Sequence, residues 1–177
     1  MTKQEERRRL RAVRDALPDR ERKSERICTL AAGCEEFRQA EIILTYLPFG
    51  SEVDTSFLNK IVLDGGKRLF APVCTDRLGH MEFYPVVNFD SLVKNSFGIP
   101  EPPVTGQCLE DFSDAVCILP ALGFDRQNYR LGYGGGYYDR FLSVHNTFTI
   151  GLCFKECLCE NLPHDENDIP ASIIITD

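Results

Sequence analysis

A strand that runs into a bend almost free of side chains constrains this chain more than any other feature. Ala115-Val-Cys-Ile-Leu119 is a continuous apolar run, as expected of a strand buried on both faces. It feeds a turn-rich loop, Pro120 to Tyr129, and then Arg130-Leu-Gly-Tyr-Gly-Gly-Gly136, where four glycines fall within five residues. The segment after it, Tyr137 to Val144, reads as a helix. In that order the three pieces offer backbone N–H groups and a helix N-terminus to an anion. Glycine lets the main chain approach a phosphate closely and take positive φ. Arg130 supplies a fixed charge for phosphate oxygens, and Asp139, about one turn into the helix, is placed to hold an accompanying magnesium ion. The loop matches neither G-x-G-x-x-G nor a phosphate loop ending in Gly-Lys-Ser/Thr. The plainer alternative is a turn that only closes a strand–helix corner. Such a corner needs one or two glycines, not four beside an arginine and two tyrosines.

The surrounding pattern alternates strands with helices. Short apolar runs at Glu41–Leu47, Leu69–Val73, Ala115–Leu119, Thr147–Cys153 and Ile173–Ile175 predict strands, and Met81–Tyr84 predicts a partly exposed one. Helices are expected over Lys3–Leu17, from Pro18 to about Ala32 with Gly33 ending it, and from Asp54 or Thr55 to Leu63. At 177 residues this predicts one domain over residues 1–177, α/β in class. Its architecture is expected to be a three-layer α/β/α, Rossmann-like arrangement around a mainly parallel central sheet, with the helices of residues 1–33 packed on the α/β body. The stretch Phe97-Gly-Ile-Pro-Glu-Pro-Pro103 holds three prolines and predicts neither helix nor inner strand. It is either a plain connection or a rigid wall that presents Phe97 to a flat ring.

Composition narrows the class. No apolar run approaches the roughly 20 residues of a membrane span. The N-terminus lacks a signal peptide's apolar centre and is too acidic for a transit peptide, so a cytoplasmic protein with no membrane partner is expected. The net charge is −7, with ten Lys/Arg against six Asp/Glu in residues 1–26 and the remainder at −11. So acidic a body argues against nucleic-acid partners. The eight cysteines include no C-x-x-C pair. Cys153, Cys157 and Cys159 near His164 fit no common zinc spacing, and reduced structural thiols are the expectation.

The basic N-terminal helix admits two readings. On a helical wheel Arg7 and Arg14 border the apolar stripe of Leu10, Val13 and Leu17, where long side chains bury their stems and direct charge into a neighbouring cleft. The alternative is a solvated helix laced by i to i+4 pairs through Glu5 and Glu6. Spacing alone favours the second.

Leu122-Gly-Phe-Asp125 followed by Arg130-Leu-Gly-Tyr-Gly-Gly-Gly-Tyr-Tyr-Asp-Arg140 closely resembles the signature of the 5-formyltetrahydrofolate cyclo-ligase (methenyltetrahydrofolate synthetase) family. One departure is Asn128, where the family usually has glycine; Asn is the other residue most at ease in the left-handed region. The resemblance implies that the Lys3/Arg7 pair binds ATP together with Arg130, Leu131, Gly132, Tyr133, Gly134, Gly135, Gly136, Tyr137 and Tyr138. It implies that Leu47, Glu52, Phe97 and Tyr138 bind folate, and that Asp139 and Asp168 hold Mg²⁺. A carboxylate such as Glu52 suits the amino and ring N–H donors of a pterin edge. Arg130 and Tyr138 are the catalytic candidates. The implied activity is ATP- and magnesium-dependent closure of 5-formyltetrahydrofolate, with or without a polyglutamate tail, to 5,10-methenyltetrahydrofolate by a monomer. A sugar-phosphate isomerase-like enzyme, or a non-catalytic nucleotide- or folate-binding regulator, stands as the alternative.

Overall fold

The computed structural model describes residues 1–75, 79–95 and 98–177. Its helices are α1 (Lys3–Asp15), α2 (Arg20–Gly33), α3 (Glu35–Gln39), α4 (Ser56–Asp64) and α5 (Tyr137–Val144). The strands through the first half are β1 (Ile42–Leu44), β2 (Arg68–Cys74), β3 (Met81–Pro85), β4 (Val93–Lys94) and β5 (Pro100–Glu101). After them come β6 (Ala115–Leu119), β7 (Gly123–Asp125), β8 (Arg130–Leu131), β9 (Phe148–Cys153), β10 (Leu158–Cys159) and β11 (Ile173–Thr176).

Six strands form the central sheet in the order β11-β9-β6-β1-β2-β3. All neighbours are parallel except β3, which returns antiparallel on β2. Every residue of β1 and β6 is buried, so both faces of the sheet are covered and the apolar runs need no alternation. From β1 the chain first winds one way to β2 and later the other way through β6, β9 and β11. The crevice beyond the carboxyl ends of β1 and β6 is therefore the switch point of the sheet, where ligands of open α/β folds bind.

Helix α2 packs against α4 and against β9 and β11, while α4 lies on β2. Further cover comes from a small sheet, β10-β7-β8. The Phe124 ring of β7 fills the space beside Gly151 of β9, where a Cβ would come within 2.4 Å of it. Leu10 of α1 closes in turn on Gly123 of β7.

This small sheet corrects the expectation of one loop between β6 and the glycines: a β-hairpin stands there. Asp125, wholly buried, organises its turn by accepting from the backbone amides of Gln127, Tyr129 and Leu162. Asn128 takes φ 68°, the left-handed turn anticipated for it. Three other expectations shift. Helix α1 ends at Asp15 rather than Leu17, because the residue before Pro18 is biased away from helix. Strand β1 is three residues rather than seven. Helix α3 was not expected, since one buried residue, Phe37, carries no periodic signal.

Candidate active site

The glycine loop starts from β8 and ends as the N-terminus of α5. Gly134 (φ 105°) and Gly136 (φ 67°) take left-handed backbone that a side chain would oppose, and Gly136 is the residue on which α5 begins. Arg7 of α1 lies against Gly134, and its Nε donates to the Gly132 carbonyl at 2.9 Å. Arg140 braces the far side through the Gly135 and Gly79 carbonyls. The loop forms one wall of a cleft of about 690 Å³. Lys3 and Arg7, the turn Asp165–Ile169, Pro72 and Cys74 of β2 and Met81 at the start of β3 also line it.

The charges lining this cleft are paired across elements. Arg130, buried, donates through one terminal nitrogen to the Ile169 carbonyl and through the other to Asp139 Oδ1, both at 2.7 Å. The same Asp139 oxygen accepts from the Ile169 amide. Lys3 Nζ sits 2.6 Å from both Asp165 Oδ2 and Asp168 Oδ2. Burial disfavours the Lys3 charge, but hydrogen bonds and attraction from the two aspartates outweigh it and leave its pKa raised. Thr2 starts α1 with a reciprocal cap to Glu5, which fixes where Lys3 emerges.

A second group lies at the switch point. Arg14 of α1 is 3 % exposed and reaches both loops flanking the crevice, the Ser51 hydroxyl after β1 and the Ala121 carbonyl after β6, each at 3.0 Å. Its remaining terminal nitrogen donates to the Tyr133 hydroxyl at 2.7 Å. Tyr133 in turn neighbours Glu52, whose Oε2 accepts from the Phe49 amide at 2.8 Å. Burial raises the Glu52 pKa, while the Phe49 amide, Tyr133 and Arg14 hold it down. The Tyr133 hydroxyl is pushed up to about 12, first by burial and then by the neighbouring Glu52 charge. Tyr138, the second residue of α5, has a buried hydroxyl with no hydrogen-bond partner. Burial, then Cys117 and Glu52, raise its pKa well above normal against the pull of Arg130, so it is a neutral donor. A buried hydroxyl left unmatched is unfavourable by about 1–3 kcal/mol, which a ligand acceptor would recover.

Of the residues singled out from the sequence, Lys3, Arg7, Arg130–Tyr138, Asp139 and Asp168 all line the one cleft. Glu52 and Leu47 do not; Leu47 is buried, and Glu52 reaches the cleft wall through Tyr133. Phe97 lies outside the described residues. Two neighbours were missed as site residues. The sequence does not single out Asp165, and it places Arg14 only as one of two cations bordering the apolar stripe of α1, with spacing favouring the solvated reading. The signal for Arg14 was available: it shares a helix face with Leu10 and Leu17. Among the described residues no group of three or more His, Cys, Asp or Glu is placed to hold a metal by itself. All eight cysteines are free, and burial raises the thiol pKa to about 11 at Cys28 and Cys157 and about 12 at Cys117, keeping them protonated.

The profile of the 5-formyltetrahydrofolate cyclo-ligase family matches residues 1–177. The chain belongs to the 5-formyltetrahydrofolate cyclo-ligase family. It is 33% identical over 142 residues to the 5-formyltetrahydrofolate cyclo-ligase of Escherichia coli K12, covering 77% of this chain and 78% of that one. A probable cyclo-ligase of Schizosaccharomyces pombe is 30% identical over 168 residues, or 85% and 81% of the two chains. Among solved structures, Aquifex aeolicus 5,10-methenyltetrahydrofolate synthetase superposes with a TM-score of 0.86 at 31% identity, covering 99% of this chain and 90% of that one. Cyclo-ligase relatives thus share the fold as well as the sequence, and the glycine-loop cleft is the feature of this chain to which their chemistry is referred below.

Proposed function

We propose that this protein joins ATP hydrolysis to ring closure, converting 5-formyltetrahydrofolate to 5,10-methenyltetrahydrofolate with release of ADP and phosphate. One observation carries the reading: a glycine loop at a helix N-terminus shares a single cleft with the cations Lys3, Arg7, Arg130 and Arg140 and with carboxylates that include Asp139 and Asp168. The formyl oxygen attacks the γ-phosphorus and ADP leaves. N10 then attacks the activated formyl carbon, loses its proton, and phosphate departs as the second C–N bond is completed. The reacting atoms belong to the two substrates, so the protein contributes positioning and charge neutralisation. That accords with a lining in which, among the described residues, no Ser–His or Cys–His pair occurs.

In this reading the amides of Gly132 to Gly136 cradle phosphates, and Lys3, Arg7 and Arg130 neutralise them. Leu131, Tyr133, Tyr137 and Tyr138 line the nucleotide. Glu52, in the loop that Leu47 leads into, receives the pterin donors, and the unmatched Tyr138 hydroxyl donates near the formyl group. Magnesium, when bound, supplies further neutralisation of the phosphates. Asp139 and Asp168 fit that task, because the ion takes one or two protein carboxylates and completes its shell with water and phosphate oxygens. Each has one carboxylate oxygen clear of the bonds described above. We further take the protein to act as a monomer in the cytoplasm, on substrate that can carry a polyglutamate tail.

The test is the absorbance of methenyltetrahydrofolate formed from 5-formyltetrahydrofolate with ATP, without ATP, and with chelator. Product only with both ATP and divalent metal is expected. Product without ATP, or none at all, would overturn the assignment.

A further inference from the structure

We propose that Arg14 is a positioning residue for the folate substrate: through the Tyr133 hydroxyl it holds Glu52 and locks the glycine loop to the loop after β1. The inference rests on the function proposed above. Arg14 is not part of the glycine-loop cleft, and its burial is not explained by packing alone. Buried charges are normally paired, yet among the described residues no carboxylate lies within ion-pair distance of its guanidinium. An apolar side chain would fill the same space on α1 at lower desolvation cost.

What the guanidinium holds instead is a hydrogen-bond frame. Nε and one terminal nitrogen fasten Ser51 and Ala121, the loops on either side of the switch point. Ser51 is itself anchored, since its hydroxyl donates to Asp15. The last nitrogen donates to the Tyr133 hydroxyl, so that hydroxyl is an acceptor from Arg14 and its single proton is left to turn towards the neighbouring Glu52. Glu52 accepts from the Phe49 amide, with the Tyr133 hydroxyl beside it, and its remaining lone pairs stay open for a flat ligand's N–H groups. The titratable and charged groups that face Glu52 are Arg14 of α1, Tyr133 of the glycine loop, Tyr46 of its own loop and Tyr138 of α5. The tyrosines are neutral, which leaves Arg14 as the cation among these groups whose charge favours the ionised carboxylate.

The experiment measures the KM for 5-formyltetrahydrofolate and for ATP, across the acid range, in wild type, Arg14→Met, Arg14→Lys, Tyr133→Phe and the Arg14→Met/Tyr133→Phe double variant. Arg14→Met is expected to raise the folate KM about tenfold or more, as for loss of a hydrogen bond to a charged group, and far more than it raises the ATP KM. The acid limb of kcat/KM for folate should move to higher pH, because a carboxylate that has lost its cation protonates sooner. Arg14→Lys should restore part of that shift. Tyr133→Phe leaves α1 intact, so it keeps the test alive if Arg14→Met fails to fold; it should move the limb in the same direction. The double variant should be no worse than Arg14→Met, since both break one chain of bonds. An unchanged folate KM, fully additive effects, or a loss confined to thermal stability and kcat would reduce Arg14 to an anchor of α1 and overturn the proposal. A wild-type protein that forms no methenyl product would instead overturn the function itself, before any variant is compared.

Discussion

At the scale of single residues, the site consists of side chains whose roles depend on what holds them. Arg130 is fixed by Asp139 and the Ile169 carbonyl, so Arg130→Ala removes a charge from the cleft and also leaves Asp139 without its cation. A fall in kcat/KM for ATP worth about 1.5–3 kcal/mol is expected, together with a lower denaturation midpoint; steady-state kinetics and urea unfolding measure the two. Glu52→Gln should act mainly on the folate KM, and a change confined to ATP would misplace the pterin pocket. Asn128 tests backbone rather than charge. At φ 68° it already occupies the left-handed region, so Asn128→Gly should change stability little, whereas the β-branched Asn128→Val should lose roughly 1–2 kcal/mol in urea unfolding. That turn was legible in the residue type alone, and so was the glycine loop. The buried state of Arg14 was only half legible: its place on the helix face of Leu10 and Leu17 allowed burial, and only the loops carrying Ser51 and Ala121 decided it.

At the scale of elements, the position of α1 decides whether the cleft exists. Its first turn is tied to the 165–168 turn through Lys3, its middle lies on β7 through Leu10, and its end reaches the crevice through Arg14. Gly123→Ala probes the middle contact, since its Cβ would stand 2.4 Å from the Cys157 carbonyl oxygen and 2.9 Å from Leu10 Cδ1. Overpacking of that kind should destabilise by about 1–3 kcal/mol in urea unfolding and weaken ATP use by shifting α1. The first contact is testable by acid. Asp165 is held below its ordinary 3.8 chiefly by the Lys3 hydrogen bond, so its share of the tether is present above that value and lost as pH falls through the depressed one. Hydrogen exchange of the Asp165–Asp168 amides should quicken in that acid window, while α5 stays protected. Elements with a long periodic or apolar pattern were legible in the chain: β6 and α5 fall on the residues expected of them. The hairpin β7–β8 was not, since strands of three and two residues carry too little pattern and are made by pairing.

At the scale of the whole molecule, one core spans the sheet and its cover, from Leu10 of α1 through Ile43, Ile118 and Ile150 to Phe154. Strands β1, β6 and β9 lie inside the sheet, whereas β4 and β5 pair only with each other. Native-state hydrogen exchange should accordingly show the central strands opening only with global unfolding and the β4–β5 ladder opening first. Taken alone, the sequence determined the α/β class, the parallel core strands and the glycine-rich loop, because apolar run length and glycine spacing are local properties of the chain. Tertiary structure alone decided that Lys3 meets Asp165 and Asp168, that Arg130 meets Asp139 and Ile169, and that Arg14 joins Ser51, Ala121 and Tyr133. Most of those partners are tens of residues or more apart, and the Arg130–Asp139 pair spans a helix start. No local pattern records which charge faces which, and only the winding of the sheet around its switch point brings them within bonding distance.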